Sequence, residues 1–153
     1  MPGKFTITTV NLTETIKRLE QYGDNAPKIC GMALKDVGEQ VMHESQRIVP
    51  VDTGALKSTG VVTSPVRHGP KVTIVLGYGG VAANGEKVGY AFYVHENPRA
   101  GKTGGISPKG GHYKHWADSG EWKYLEGPIA QNEPLIDAKL AEAIHFVLTG
   151  EIV

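Results

Sequence analysis

The chain has 153 residues, of which 40% are hydrophobic and 21% are charged. These values exclude a disordered protein and predict one domain over residues 1–153, large enough to bury a core without disulfides or metal. Sixteen basic and sixteen acidic residues give a formal net charge of zero, which excludes a global electrostatic attraction to nucleic acid. The single cysteine, Cys30, excludes an intramolecular disulfide and fits a reducing compartment.

The N-terminal sequence MPGKFTITTV has no apolar core of a signal peptide, and no apolar run is long enough to span a bilayer. We therefore expect a protein that is made in a cytoplasm and does not contact a membrane. Residues 5–10 alternate apolar and polar side chains and predict a first strand. A short helix is predicted next, with Asn11 as its N-cap, Glu14 as the capping-box partner and Gly23 at its end.

A long helix over about residues 26–49 is the most regular element that the sequence predicts. Pro27 fits its first turn, and Pro50 ends it because the residue before a proline avoids the helical region. Its apolar side chains recur at helical spacing and predict one buried stripe. The stripe consists of Cys30, Leu34, Val37, Val41 and Ile48.

The rest of the chain predicts strands, a loop and a final helix. Residues 61–66 and 71–76 predict an antiparallel pair around a turn at 67–70, with Pro65 marking an edge strand. Residues 90–95 predict a third strand, with Tyr90, Phe92 and Val94 on one side. A long glycine-rich loop is predicted over about 96–122 and an amphipathic helix over about 134–148. This order predicts an α+β fold, with a small antiparallel sheet packed against the long helix and the C-terminal helix.

The string Asp52-Thr53-Gly54 resembles the catalytic turn of an aspartic protease. One copy per chain would require a symmetric dimer, in which two carboxylates share one proton. Such a turn should follow an apolar strand, whereas here it follows the predicted long helix and Pro50. The structural alternative is that Asp52 is an N-cap that accepts hydrogen bonds from the N–H groups of Gly54 or Ala55. We favour the structural alternative and keep the dimeric protease as the second hypothesis.

The predicted loop carries a local basic and aromatic patch. Four cations and two aromatic residues occur with no acidic residue between Glu96 and Asp118. They are Arg99, Lys102, Lys109, Tyr113, Lys114 and Trp116. Contact with DNA phosphates or with an acidic partner surface is one interpretation, and a solvated loop is the other. A DNA-binding module built on this loop is the third functional hypothesis.

Three further patterns have residue types that occur at sites of chemistry. Gly101-Lys102-Thr103 lacks the earlier glycine of a phosphate-binding loop, since Glu96 stands at that position, and we reject nucleotide binding. His112 and His115, with His95 and Glu96, could share a zinc ion, but Lys114 adds repulsion and surface histidines are the simpler interpretation. Cys30 lies on the apolar stripe and is interpreted as a small buried hydrophobe. The sequence therefore predicts no cofactor, no metal site and no enzymatic activity.

Three segments together resemble a known family. IVPVDTGALKS, residues 48–58, resembles the P-x-D-T-G-x-L-(K/R)-x-S signature of the tail-completion, or head–tail joining, proteins of long-tailed bacteriophages, with Ser58 one place earlier than the pattern's serine. YAFYVH at 90–95 is similar to the family's Y-A-x-Y-V-(H/E) segment. KYLEGPI at 123–129 is similar to its (K/W)-(F/Y)-L-x-x-(A/P)-(L/I) segment. The resemblance covers most of residues 27–148 and departs from the family in the insertion at 97–121.

The resemblance implies a structural role without a catalytic site. Members of the family are small α+β proteins, often labelled minor capsid or neck proteins, that are built into the neck or upper tail of the virion, usually as rings. It implies a homo-oligomeric ring such as a hexamer, neighbouring connector and tail-tube proteins as partners, and non-specific contact with DNA in the channel. In this setting Pro50, Asp52, Thr53, Gly54 and Leu56 are a structural motif: Asp52 caps, Gly54 supplies backbone freedom, and Leu56 returns the chain to the core.

Overall fold

The computed structural model describes residues 25–69, 71–101 and 120–150. The strand predicted at 5–10 and the short helix predicted after it lie outside these residues. The first described element is α1, Asn25–Ile48, which confirms the predicted long helix. The predicted stripe is its buried face at Cys30, Leu34, Val37 and Val41, while Ile48 is half-buried.

A β-hairpin packs against α1 and confirms the predicted antiparallel pair. The register shifts by one residue along it, because Val62 is opposite Leu76 whereas Val66 is opposite Thr73. Residues 64–65 therefore both oppose Ile74, and Pro65 lies in this bulge, where a missing N–H breaks no ladder hydrogen bond. The hairpin consists of β1 (Val61–Val62), β2 (Val66–His68), β3 (Lys71–Thr73) and β4 (Leu76–Gly77).

Two glycines of α1 allow the hairpin to approach the helix closely. A Cβ at Gly38 would lie 2.6 Å from Cδ1 of Ile74, and one at Gly31 would lie 3.0 Å from Cβ of Pro65. Both positions face the hairpin, seven residues apart and therefore on one side of the helix. The buried side chains Val72, Ile74 and Leu76 alternate along the returning strand and cover this side of α1.

The third strand predicted at residues 90–95 is wrong, because a helix begins there directly after Tyr90. The helix is α3, Ala91–Glu96, and its buried side chains are Ala91, Val94 and His95. These positions have the i, i+3, i+4 spacing of a helical face, so Phe92 and Tyr93 point outwards. Aromatic and β-branched residues favour strands, but this preference is weak and tertiary packing overrides it here.

The remaining elements complete an α+β fold. The C-terminal helix α5, Glu133–Thr149, confirms the helix predicted near 134–148 and runs along α1. The short helix α4, Glu126–Gln131, precedes it and was not predicted as a separate element. The other elements are α2 (Ala55–Ser58), β5 (Gly80–Val81), β6 (Lys87–Val88) and α4 (Glu126–Gln131).

The main core lies between α1, the hairpin and residues 124–140. Tyr124 and Leu125 are almost fully buried at its centre. A smaller cluster formed by Ala26, Cys30 and Ala143 joins the start of α1 to the end of α5. Cys30 is thus a buried small hydrophobe, and burial raises the pKa of its thiol. Across the described ranges, no helix is both long and apolar enough to cross a membrane.

Candidate functional site

Thr53, and not Asp52, makes the hydrogen bonds of the Asp52-Thr53-Gly54 turn. Thr53 Oγ1 accepts a hydrogen bond from the N–H of Ala55 at 3.3 Å and donates one to Oε2 of Glu86 at 3.2 Å. The N-cap position of α2 is held by Gly54, without a side-chain capping bond. The predicted cap at Asp52 is therefore wrong: the left-handed Gly54 separates its exposed carboxylate from the helix.

The other roles predicted for the motif are confirmed. Gly54 has φ of 81°, a conformation that costs glycine little and other residues more. Leu56 is buried in the main core, and Pro50 is buried directly after α1. The motif therefore turns the chain from the end of α1 back into the core.

Pro50 also lies where the chain between residues 101 and 120 departs and returns. A Cβ at Gly101 would overlap the carbonyl oxygen of Gly120, and a Cβ at Gly120 would lie 2.8 Å from Cα of Pro50. The N–H of Glu121 donates to the carbonyl oxygen of Ile48 at 2.7 Å, which satisfies a carbonyl at the end of α1. Pro50 of the Asp52-Thr53-Gly54 motif thus packs against Gly120, at the base of the predicted insertion. The spacing of these residues in the sequence does not predict this contact.

Of the predicted contact residues, Arg99 lies within the described chain. It is exposed, and its backbone N–H donates to Oδ1 of Asn97 at 3.0 Å. The others lie outside the described residues: Lys102, Lys109, Tyr113, Lys114 and Trp116.

A buried histidine connects α3 to the start of α4. His95 is fully buried, and its Nδ1 lies 2.7 Å from Oε1 of Glu96. Its Nε2 accepts a hydrogen bond from the N–H of Glu126 at 3.4 Å, so the ring proton is on Nδ1, which donates to Glu96. Since both ring nitrogens are used, His95 joins the two segments.

Lys123 bridges two carboxylates beside this histidine. Its Nζ lies 2.8 Å from Oε2 of Glu96 and 2.7 Å from Oε2 of Glu126. The hydrogen bond from Lys123, followed by that from His95, lowers the pKa of Glu96. The hydrogen bonds to Glu126 and then to Glu96 raise the pKa of Lys123. Lys123 is also the described non-glycine residue with positive φ, 57°, which turns its side chain into this position.

Two buried tyrosines lie beneath the network. The rings of Tyr78 and Tyr124 meet edge to face at 5.1 Å, and those of Tyr124 and His95 meet at 4.9 Å. The hydroxyl of Tyr124 donates to the carbonyl of Ala91 at 2.7 Å, and the hydroxyls of Tyr78 and Ser45 are 2.8 Å apart. Burial raises the pKa of both tyrosines, that of Tyr78 to about 12. Each polar end is paired, so the cluster is a satisfied part of the core.

The network also has the residue types of a metal site. Ligand atoms of His95, Glu96 and Glu126 lie within 4.8 Å of one another. Lys123 already bonds to both carboxylates and supplies the positive charge that a metal ion would bring. The zinc hypothesis also used His112 and His115, which lie outside the described residues.

Three large aromatic side chains are exposed around this network. Phe92 and Tyr93 on α3 are 55% and 54% exposed, and Trp122 is 43% exposed. Tyr93 stands one helical turn before Glu96, while Lys123 contacts Glu96 and lies 5.9 Å from the Trp122 ring centroid. We call Phe92, Tyr93 and Trp122 the aromatic face. The sequence did not predict this face, because a strand over residues 90–95 would place Phe92 and Tyr93 on opposite sides.

A shallow cleft lies at the end of α1, where Ile48 contacts residue 121. Its volume is about 340 Å³. It is lined by Glu44, Arg47, Ile48, Pro128 and Gln131. Glu44 is already held by the side-chain amide of Asn132 at 2.6 Å, so the cleft is in part a structural junction between α1 and the end of α4.

Comparisons with known proteins do not assign a function to this chain, so the residues described above are the basis for a proposal. Neither the protein-family models nor the curated proteins nor the solved structures give a significant match to this chain.

Proposed function

We propose that this protein is a non-enzymatic structural component of a phage virion, which forms a ring in the neck or upper tail at the head–tail interface. The proposal starts from the resemblance of residues 48–58, 90–95 and 123–129 to tail-completion proteins. The observation that carries it in the structure is the aromatic face, Phe92, Tyr93 and Trp122. Large aromatic side chains at an exposed position are typical of protein–protein interfaces.

The contacts of the Asp52 motif support a structural use of it. The motif contacts Gly120 at the base of the predicted insertion through Pro50, Glu86 through Thr53, and the main core through Leu56. An aspartic protease needs two carboxylates close together, each placed by a rigid strand. Asp52 is exposed in a turn that follows a helix by four residues, and Thr53 makes the turn's hydrogen bonds. The dimeric protease therefore has less support than the ring.

In the proposed ring, the protein would act through the contacts that its exposed surfaces make with neighbouring molecules. The aromatic face would contact a neighbouring subunit or a connector or tail-tube protein. The basic residues between 99 and 116 would contact an acidic partner surface or DNA in the channel. Such a protein would be made in the bacterial cytoplasm and end up in the virion.

Native mass spectrometry over a range of concentrations tests the proposal. A discrete closed oligomer larger than a dimer is expected. A monomer is consistent with the proposal only if purified virions contain the protein, and its absence from virions would overturn it.

The protease hypothesis has its own test in Asp52→Asn. A stable dimer that cleaves unfolded protein, and loses this activity in Asp52→Asn without unfolding, would replace our proposal. The matched control is Asp36→Asn, an exposed aspartate on α1. We expect no proteolysis from the wild type or from either variant.

Deletion of residues 102–119 tests the role of the insertion. Because Gly101 and Gly120 are in contact, joining them through a short glycine linker should leave the described fold intact. Circular dichroism should then match the wild type, while joining of heads to tails should fail. Normal joining by the folded deletion variant would remove the insertion from the proposed function.

A further inference from the structure

The surroundings of the aromatic face are acidic. Glu96, Glu121 and Glu126 lie beside or next in sequence to its residues, and Lys123 is the cation among them. The three carboxylates and the Lys123 ammonium group sum to −2 at neutral pH, and the exposed Arg99, three residues after Glu96, brings the net charge of this region to −1. Glu121 is exposed next to Trp122. We call Phe92, Tyr93, Trp122 and these three glutamates the acidic aromatic surface.

Residues 102–119 have the complementary composition. They contain three lysines and one aspartate, so their formal charge is +2, and they also contain Tyr113 and Trp116. Lysine ammonium groups bind the faces of tryptophan and tyrosine rings as well as carboxylates. The acidic aromatic surface already shows this chemistry within the chain, where Nζ of Lys123 lies 5.9 Å from the Trp122 ring centroid.

The length of this segment allows it to reach another subunit. It comprises eighteen residues, and its ends meet at Gly101 and Gly120. Nine residues out and nine back span at most about 30 Å. A 153-residue domain has a radius of gyration of about 15 Å. Since the span is about twice this radius, the segment is long enough to extend onto an adjacent copy.

We infer that residues 102–119 of one copy bind the acidic aromatic surface of the next copy in a head-to-tail contact. This inference rests on the proposed ring and names the contact that forms it. A head-to-tail contact uses two different patches of the same chain, and it closes into a ring when the rotation between subunits permits. The opposite charges of the two patches disfavour pairing of like patches and so select this arrangement.

Two variants, each defective in one patch, test the inference. The surface variant combines Tyr93→Ala and Trp122→Ala. The segment variant combines Lys102→Glu, Lys109→Glu and Lys114→Glu. Phe146→Ala is the control, because it removes an exposed aromatic side chain from α5, outside both patches. All variants should keep the circular dichroism spectrum of the wild type.

Native mass spectrometry and sedimentation of each protein, alone and mixed, give the readout. We expect each defective variant to need at least about thirtyfold more protein for half-assembly than the wild type, as for the loss of an interface hot spot. The control should assemble like the wild type. An equimolar mixture of the two variants should form a dimer containing one of each, because one intact surface and one intact segment remain. Raising salt from about 50 mM to about 500 mM should weaken that dimer.

Three outcomes would overturn the inference. If both variants assemble like the wild type, the ring contact lies elsewhere, and the proposed ring survives without this interface. If both variants are monomeric and do not pair when mixed, the segment binds its own surface or neither patch is complementary. If the wild type stays monomeric up to about 100 μM, a concentration at which even a micromolar contact would be saturated, copies do not bind directly, and the ring must then be judged from virions.

Discussion

Gly38→Ala should destabilise the protein, although alanine is the better helix former. Alanine in a helix gains about 1 kcal/mol over glycine. The new Cβ would lie 2.6 Å from Cδ1 of Ile74 and 3.2 Å from Cγ1 of Val62, and such overpacking costs about 1–3 kcal/mol. We expect a net loss of about 1 kcal/mol in unfolding free energy, or about 2–4 °C in Tm for a chain of this size.

The test is a double-mutant cycle with Ile74→Val, which removes the Cδ1 atom that the new Cβ meets. Ile74→Val alone should cost about 0.5–1.5 kcal/mol. In the Ile74→Val background, Gly38→Ala should be neutral or stabilising by up to about 1 kcal/mol, because the helix preference then dominates. The coupling energy should be about 1–2 kcal/mol, measured by urea unfolding followed by circular dichroism.

A helical glycine in open space provides the control for this cycle. Gly127 lies in α4, and a Cβ there would have no atom within 4 Å, so Gly127→Ala should stabilise by about 0.5 kcal/mol. Equal effects of Gly38→Ala in both backgrounds would refute the reasoning, since the cost would then not come from Ile74.

Three further predictions concern the turn, the tyrosines and the ion network. Asp52→Ala should change the unfolding free energy by less than about 0.5 kcal/mol in the urea assay. Thr53→Ala should lower it by about 0.5–1.5 kcal/mol, because Thr53 makes the hydrogen bonds of the turn. A larger effect of Asp52→Ala than of Thr53→Ala would restore Asp52 as the cap. Because burial raises the pKa of Tyr78 to about 12, its contribution to stability is intact below about pH 10 and falls by about 1.4 kcal/mol per pH unit between about pH 10 and pH 12. Tyr78→Phe should reduce the slope of this alkaline loss, while Tyr124, whose pKa burial also raises, keeps part of it; an unchanged slope would contradict the assignment. Because the hydrogen bond from Lys123 lowers the pKa of Glu96, their pairing stabilises above about pH 4.3 and is lost as the pH falls through the folded pKa. Thermal unfolding of Lys123→Gln should show a deficit at pH 7 that narrows below about pH 4, and a constant deficit would count against the pairing.

The long helix and the hairpin were predictable because each is determined by a local pattern. The spacing of Leu34, Val37 and Val41 admits one buried helical face, and Pro50 limits how far that helix extends. The alternation of Val72, Ile74 and Leu76 likewise admits one buried strand face. The bulge opposite Ile74 was not predicted, because the one-residue offset depends on how Pro65 meets Gly31 across the structure.

The helix α3 was mispredicted because two periodicities fit the same six residues. Tyr90, Phe92 and Val94 alternate, while Ala91, Val94 and His95 have helical spacing. The choice depends on partners about thirty residues later, such as Tyr124, whose hydroxyl donates to the carbonyl of Ala91. The candidate site could not be predicted for the same reason, because its residues come from segments about thirty residues apart. The exposure of Tyr93 and of Trp122, on the two segments that the Glu96–Lys123 ion pair joins, follows from the fold and is absent from either local pattern.

The contact between Gly101 and Gly120 bears on how this protein can evolve. The main core is closed by residues on either side of it, such as Val94 and Tyr124. Doubling the length of a connecting segment costs only about 0.6 kcal/mol of closure entropy. We therefore expect a change in the length of residues 102–119 to cost the core little closure entropy. Under the proposed function, selection on partner binding could then change the length of that segment at little cost to folding, provided that both glycines are retained.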